Sequence, residues 1–219
     1  MPYLVQSALP AGALAGQPQP VLAGTAVSLR PWTTADVPGL VTAYQDPDIQ
    51  RWHCRLLDSS EAATLIRQWA AAWTAETSAN WAVTDLGGTE LLGRMGFREV
   101  DLFSGVAEVA YWVLPSARGR GVAVDALTTL ARWAFDEIGL QRLELRHSTQ
   151  NLASCRVAAA TSFPLEGTLR ASGLHTDGWH DMHLHARLKS DRLGRVSHAD
   201  HPSVVGSDVM PPGQVHDGQ

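Results

Sequence analysis

The run PSARGRGVAVDAL, residues 115–127, sets two arginines and two glycines just ahead of a helical pattern, in a chain whose formal net charge is -5. A glycine-rich turn that opens a helix exposes backbone N–H groups at the positive end of the helix dipole, and the missing Cβ atoms let a phosphate reach the main chain. Arg118, Gly119, Arg120, Gly121, Val122 and Ala123 therefore read as an anion cradle. The bland alternative is a plain helix start with a solvated arginine pair. Two familiar phosphate loops are excluded: no Gly-Lys-Ser/Thr occurs here, and Val124 stands where a dinucleotide fingerprint needs a third small residue.

Other residues with chemical potential flank the cradle. Glu108 is the one ionisable side chain in VAEVAYWVL, residues 106–114. Burial there would raise a carboxyl pKa toward neutrality and suit a general base. The competing role is an ion pair with Arg94 or Arg98 on a neighbouring strand. Asn151 and Ser154 open a helix, and Asn is a preferred N-cap in any protein. In HTDGWHDMHLHARL, residues 175–188, His183 and His185 share one strand face with His175 and His180 close by. That spacing is a weak metal signature. A hairpin carrying histidines at its rim is the preferred reading, and no metal is expected.

These residues need positioning elements, and the sequence supplies an alternating order of them. Residues 26–32 read as a strand, and 33–45 as a short helix with Thr34 as N-cap and Pro38 in its first turns. Residues 46–54, containing Trp52 and His53, read as a loop. A helix over 59–77 puts Ala62, Leu65, Ile66, Trp69 and Trp73 on one face. Strands at 80–86, 90–100 and 105–114 follow, joined by turns at Gly87-Gly88 and around Ser104-Gly105, so they must form an antiparallel meander. The cradle then opens a helix with Ala123, Leu127, Leu130, Ala131, Ala134 and Ile138 on one face, ending at Gly139. The strand at 140–148 is reached through that helix and should run parallel to the strand before it. A helix from about residue 153 and a hairpin of 165–173 with 179–188 close the domain. The fold class is α+β: a mixed, mostly antiparallel central sheet with flanking helices and one embedded βαβ unit.

Bulk properties exclude several classes. The 219 residues suit one domain, read here as 25–189, with an Ala/Gly/Pro-rich extension at 1–24 and a polar tail at 190–219. The acidic balance disfavours a nucleic-acid binder, which needs clustered Lys and Arg. Cys54 and Cys155 stand far apart without CxxC spacing, so neither a disulfide framework nor a zinc ribbon is indicated, and a reducing compartment fits. The N-terminus lacks the positive region of a signal peptide, and no run approaches the ~20 apolar residues that cross a bilayer. A cytoplasmic protein, with no membrane partner, is expected, as a monomer or homodimer.

One family matches the whole arrangement. RGRGVA, Arg118 to Ala123, resembles the Arg/Gln-x-x-Gly-x-Gly/Ala signature of the GNAT N-acetyltransferases, whose loop binds the pyrophosphate of acetyl-CoA. The order of strand, cradle, helix, parallel strand, Asn-x-x-Ser and helix extends the resemblance from about Val27 to Leu188, toward the branch containing the ribosomal-protein alanine acetyltransferases. ATSFPLEG, residues 160–167, departs from the pattern, with Ser162 where glycine is usual and Pro164 after Phe163. The resemblance implies transfer of acetyl from acetyl-CoA to a primary amine, of a peptide N-terminus or a small molecule, by direct attack in a ternary complex. The alternative class is an acyl-CoA-binding regulatory module without turnover.

The resemblance also implies roles. Backbone amides from Gly119 to Ala123 take the pyrophosphate, assisted by Arg118 and Arg120. The edge of Trp112, Val113 and Leu114 pairs with the pantetheine, with an N–H near Val113 polarising the thioester carbonyl. Asn151 contacts pantetheine and Ser154 lies near the CoA sulfur. Many relatives use a tyrosine as general acid. Tyr3, Tyr44 and Tyr111 all precede the cradle, so Ser154 or a water is the candidate here. Glu108 sits near the acceptor amine, acting directly or through water. Trp179 and His180 at the hairpin turn, and Trp52 and His53, are candidate walls of the acceptor site, the latter pair with a core role as the alternative.

Overall fold

The structure, a computed structural model, describes residues 4–191, so nearly all of the tail at 190–219 lies outside the described residues. Eight strands form one sheet: β1 (Leu22–Ala23), β2 (Ser28–Pro31), β3 (Ala79–Thr84), β4 (Leu91–Asp101), β5 (Val106–Val113), β6 (Arg142–Ser148), β7 (Leu165–His175) and β8 (Gly178–Leu188). Their spatial order is β1-β2-β3-β4-β5-β6-β8-β7. The β5–β6 pair is parallel, and every other neighbouring pair is antiparallel. The helices are α1 (Val37–Ala43), α2 (Pro47–His53), α3 (Ser59–Thr74), α4 (Val122–Trp133) and α5 (Leu152–Ala160). The α+β class and the embedded βαβ unit, β5-α4-β6, are as the sequence implies.

Two apolar clusters hold the layers together. Leu127, Leu130 and Trp133 of α4 pack with Trp81, Phe97 and Leu143 of the sheet. Leu40, Ile49, Leu65 and Ile66 of α1, α2 and α3 pack with Trp32 and Trp112. The α3 stripe forms because Asp58 and Glu61 close a capping box at its start. Beyond α4, residues 134–138 continue as a wider helical turn that Gly139 ends at φ 89°.

Two local expectations are corrected, and one point open from sequence is settled. Residues 46–54 are a helix rather than a loop: Asp46 caps it by accepting from the Ile49 N–H, Pro47 occupies its first turn, and Cys54 ends it at φ 50°. Thr33 rather than Thr34 caps the first helical stretch, a 3-10 turn over Thr34–Asp36 that runs into α1, in a capping box with Asp36 that Arg30 also grips at 2.7 Å. The described part of the extension, residues 4–24, packs against the domain, with Leu9, Leu14 and Leu22 buried. Side chains elsewhere in the chain hold its backbone. Glu76 accepts from the N–H groups of Gly12, Leu14 and Ala15. Trp73 and Trp81 donate to the carbonyls of Gln17 and Pro20.

Ser162 adopts φ 61° at the exit of α5, the left-handed conformation that glycine would take more readily, and Phe163 behind it is fully buried.

Candidate active site

The β5–β6 pair holds from Val106 opposite Arg142 to Val109 opposite Leu145, and no further. β5 continues to Val113 and β6 to Ser148, so the two strands part and leave a wedge in the middle of the sheet. Main-chain groups of β5 alternate in direction. Leu114 donates to Leu92 O across the β4 side. The carbonyls of Tyr111 and Val113 face the wedge, accepting from His53 Nε2 at 3.2 Å and Arg118 Nε at 3.2 Å. The N–H groups of Tyr111 and Val113 share that side.

Two cavities meet at the wedge. One, of about 800 Å³, is lined by the cradle residues Gly119, Gly121, Val122 and Ala123, by Trp112 and Val113, and by the first turns of α5. The other, of about 670 Å³, is lined by Arg94, Arg98, Glu108 and Ser148 among others. Trp52, His53, Tyr111, Asn151 and Ser154 line both. These five side chains therefore stand where the two cavities meet.

The cradle has the geometry of an anion site. Gly119 and Gly121 have φ 74° and 76°, and a Cβ built on either would meet nothing within 4 Å. Gly121 caps α4 without a side-chain hydrogen bond, leaving the first N–H groups of the helix to face the larger cavity. Arg120 is exposed and Arg118 is already committed, to Asp46, the cap of α2, at 2.6 Å and to Asp48 in its first turn at 2.7 Å. Arg118 therefore locks α2 over the wedge, and its charge is balanced by those two carboxylates before any anion arrives.

At the smaller cavity, Glu108 is buried and Arg98 Nη2 lies 2.6 Å from its Oε1. Of the two arginines that the sequence offers as its partner, Arg98 is the one that meets this carboxyl. Arg98 reaches it from a β-bulge, since Phe97 opposes Val109 while Glu99 opposes Glu108. Arg94 is buried, donates to Asn80 Oδ1, and stacks over Trp69 at 5.2 Å. Among the described residues no carboxylate pairs with it, and burial, then the nearby Arg98 and Arg55, depress its pKa. Enclosure, then the Arg94 charge, pushes the His53 pKa down to about 4, so its imidazole is neutral and donates from Nε2.

The family profile described as Acetyltransferase (GNAT) domain matches residues 27–163. This chain belongs to the GNAT acetyltransferase family. Uncharacterized N-acetyltransferase YoaA of Bacillus subtilis (strain 168) is 26% identical over 153 residues, 69% of this chain and 86% of that protein. The ribosomal-protein-serine acetyltransferase of Escherichia coli (strain K12) is 30% identical over 99 residues, 45% of this chain and 55% of that one. Among solved structures, a GNAT-family acetyltransferase from Bacillus anthracis gives a TM-score of 0.70 at 18% identity, covering 78% of this chain and all of its own. The ribosomal L7/L12 α-N-protein acetyltransferase RimL, in complex with coenzyme A, gives 0.72 at 19% identity over 77% and 98%. At those identities the structures share the GNAT fold.

Within this GNAT domain the sequence-derived site residues divide. Trp52, His53, Glu108, Trp112, Val113, Arg118, Gly119, Gly121, Val122, Ala123, Asn151 and Ser154 all line a cavity. Leu114, Arg120, Trp179 and His180 line neither. Leu114 directs its N–H to Leu92 O on β4, and Trp179 is two-thirds exposed. His180 is buried behind the wall, bonded to Ser148 Oγ at 2.8 Å and Asp177 at 2.9 Å. Asn151 fulfils the capping role, accepting from the Ser154 N–H at 3.1 Å. Tyr111 was passed over because it precedes the cradle in sequence, yet the parting of β5 from β6 brings it to the junction. Its hydroxyl is buried beside Ser154 without a well-formed hydrogen bond, and burial pushes its pKa up to about 12. A lone phenol in an apolar strand that leads into the cradle was the available signal.

Among the described residues no helix is long and apolar enough to cross a membrane.

Proposed function

We propose that this acetyltransferase binds acetyl-CoA in the larger cavity and a primary amine in the smaller one, and transfers the acetyl group by direct attack in a ternary complex. The observation that carries the reading is that two cavities share Trp52, His53, Tyr111, Asn151 and Ser154 at a break in sheet pairing. Pyrophosphate rests on the amides of Gly119 to Ala123, where the glycines admit close approach. The pantetheine lies along the unpaired edge of β5, and the thioester carbonyl accepts from the Val113 N–H. The amine nitrogen attacks that carbonyl carbon and loses a proton toward Glu108, directly or through water. The C–S bond then breaks, and the departing thiolate takes a proton from a hydroxyl at the junction, Ser154 or Tyr111.

The buried Arg94 cation, satisfied by a neutral amide, favours an acceptor that brings a carboxylate or similar anion near its amine. Relatives named as ribosomal-protein acetyltransferases support a peptide N-terminal amine. The test is initial-rate kinetics with acetyl-CoA against a panel of peptides and small amines that differ in acidic groups, with acetylation read by mass spectrometry. Intersecting double-reciprocal lines and preference for acidic acceptors are expected. Parallel lines would mean an acetyl-enzyme, and coenzyme A binding without turnover on any amine would favour the regulatory module. A cytoplasmic location is part of this reading and is checked by fractionation.

A further inference from the structure

Three histidines and a cysteine converge on the sheet face that α5 covers. His147 comes from β6, His183 and His185 from β8, and Cys155 from α5. His147 and His183 are register partners, and His185 lies two residues along the same face. One potential ligand atom from each of the four lies within 4.8 Å of all the others.

Hydrogen bonds fix two of the rings. His147 Nδ1 lies 2.8 Å from the Ser148 carbonyl, and His185 Nδ1 lies 3.0 Å from the Phe163 carbonyl. A carbonyl only accepts, so each Nδ1 carries the proton and each Nε2 presents a lone pair. Both Nε2 atoms are buried and without a hydrogen-bond partner. Buried acceptors left unpaired are costly, and two of them facing one cluster need a common explanation. An Nδ1–H held by a backbone carbonyl with Nε2 free is how proteins orient histidines that bind metal. The fourth group fits as well, since Cys155 Sγ lies 3.3 Å from His183 Nδ1.

We propose that His147, Cys155, His183 and His185 form a four-coordinate structural zinc site that fastens α5 to β6 and β8. Tetrahedral zinc, with Zn–N of ~2.0 Å and Zn–S of ~2.3 Å, sets ligand atoms roughly 3.5 Å apart, so the cluster closes with side-chain adjustments of about an ångström. One thiolate with three imidazoles matches zinc in softness, and four protein ligands leave no open position for catalysis. On binding, the Cys155 thiol gives its proton to solvent, one Zn–S and three Zn–N bonds form, and nothing is oxidised or reduced. Cys155 and His183 are only partly buried, which leaves the ion an entry path. The site adjoins Ser154, so metal would steady the end of α5 that reaches the wedge.

By spacing alone, His183 and His185 group with His175 and His180. The structure separates them: His175 and His180 stack on each other at 4.5 Å and pack with Trp52. The true companions, His147 and Cys155, lie on other elements.

The experiment uses the full chain without an affinity tag, stripped with chelator and assayed in the absence of coenzyme A. Zinc titrated against a chromophoric chelator should bind at one ion per chain. Cobalt in its place should give the intense d–d bands of a tetrahedral site with a thiolate charge-transfer band. Cys155→Ser should remove that band, and Cys155→Ser and His183→Ala should each weaken zinc by at least the ~100-fold that losing an outer-shell partner can cost. Both positions are partly exposed, so the apo variants should fold like the apo parent by circular dichroism; should one misfold, the cobalt spectrum of the parent decides. Zinc uptake by the parent no tighter than by Cys155→Ser, or an octahedral cobalt spectrum without a thiolate band, overturns the site whether or not the protein acetylates amines.

Discussion

Arg98 and Glu108 form an ion pair across a β-bulge, Nη2 to Oε1 at 2.6 Å, with the guanidinium mostly in solvent and the carboxylate buried at the wall of the smaller cavity. A bulged, exposed arginine can swing away at little cost, whereas the carboxylate is fixed by its strand. Glu108 can thus exchange Arg98 for an incoming ammonium. Glu108→Gln should lower turnover by roughly 10²-fold with coenzyme A affinity intact, and the residual rate should climb with pH as solvent deprotonates the amine. Turnover against pH with saturating acceptor checks this. Parent-like turnover at neutral pH would leave Glu108 as nothing more than the partner of Arg98.

The cradle prediction turns on backbone conformation. Gly121 sits at φ 76°, so a valine there is strained by about 1–3 kcal/mol and its side chain also enters the space before the helix. Gly121→Val should weaken coenzyme A by tenfold or more on titration calorimetry, ~1.4 kcal/mol per decade. Arg120→Ala, which removes an exposed charge, should cost only about two- to fivefold. Equal small losses would reduce the loop to a helix start.

Leu14 tests whether the N-terminal extension belongs to the folded unit. It is 2% exposed and its N–H is held by Glu76, so Leu14→Ala should destabilise the protein by about 2–5 kcal/mol in urea unfolding. A change below 1 kcal/mol would mean that residues before 25 add no stability to the domain.

What was legible in the sequence was local. The cradle, α4 and the parallel strand beyond it lie within one continuous stretch, and their chemistry is written in glycine placement and helical spacing. The seven-residue α2 was missed because it is too short for an apolar stripe and is made by a cap, a proline and the Arg118 clamp. The packing of the extension was missed because polar side chains more than fifty residues away satisfy its backbone. The His-Cys cluster joins three elements, and only register shows that His147 faces His183. Glu108 was legible as a candidate, but which of Arg94 and Arg98 would meet it depended on a bulge that sequence does not mark.

His53 gives a pH prediction with a definite sign. Its folded pKa of about 4 lies below the ordinary value of 6.5, so between these the unfolded chain binds more protons than the native one. Stability then rises with pH across that window and is lost as pH falls through it. His53→Gln should flatten the slope of unfolding free energy by up to one proton, ~1.4 kcal/mol per pH unit, in urea unfolding from pH 7 to 4. An unchanged slope would show that the ring is solvated enough to protonate in the folded state.

The acid step separates Tyr111 from Ser154. Both line the two cavities, and a phenol whose pKa is pushed up to about 12 stays protonated throughout the working range, so it can donate to a thiolate at the moment the C–S bond breaks. Ser154 is the weaker acid, but it sits on the first turn of α5, where its hydroxyl can hydrogen-bond the sulfur without full transfer. Tyr111→Phe preserves the ring and removes only an oxygen that has no well-formed partner, so stability should hold within about 1 kcal/mol while turnover falls by 10-fold or more. Ser154→Ala leaves that phenol in place and should cost less than tenfold. An activated acyl thioester with a low-pKa leaving group needs no acid, and on such a donor Tyr111→Phe should recover most of its lost rate. If Ser154→Ala is the more damaged variant and alone is rescued by the activated donor, the serine is the acid and the tyrosine only shapes the junction.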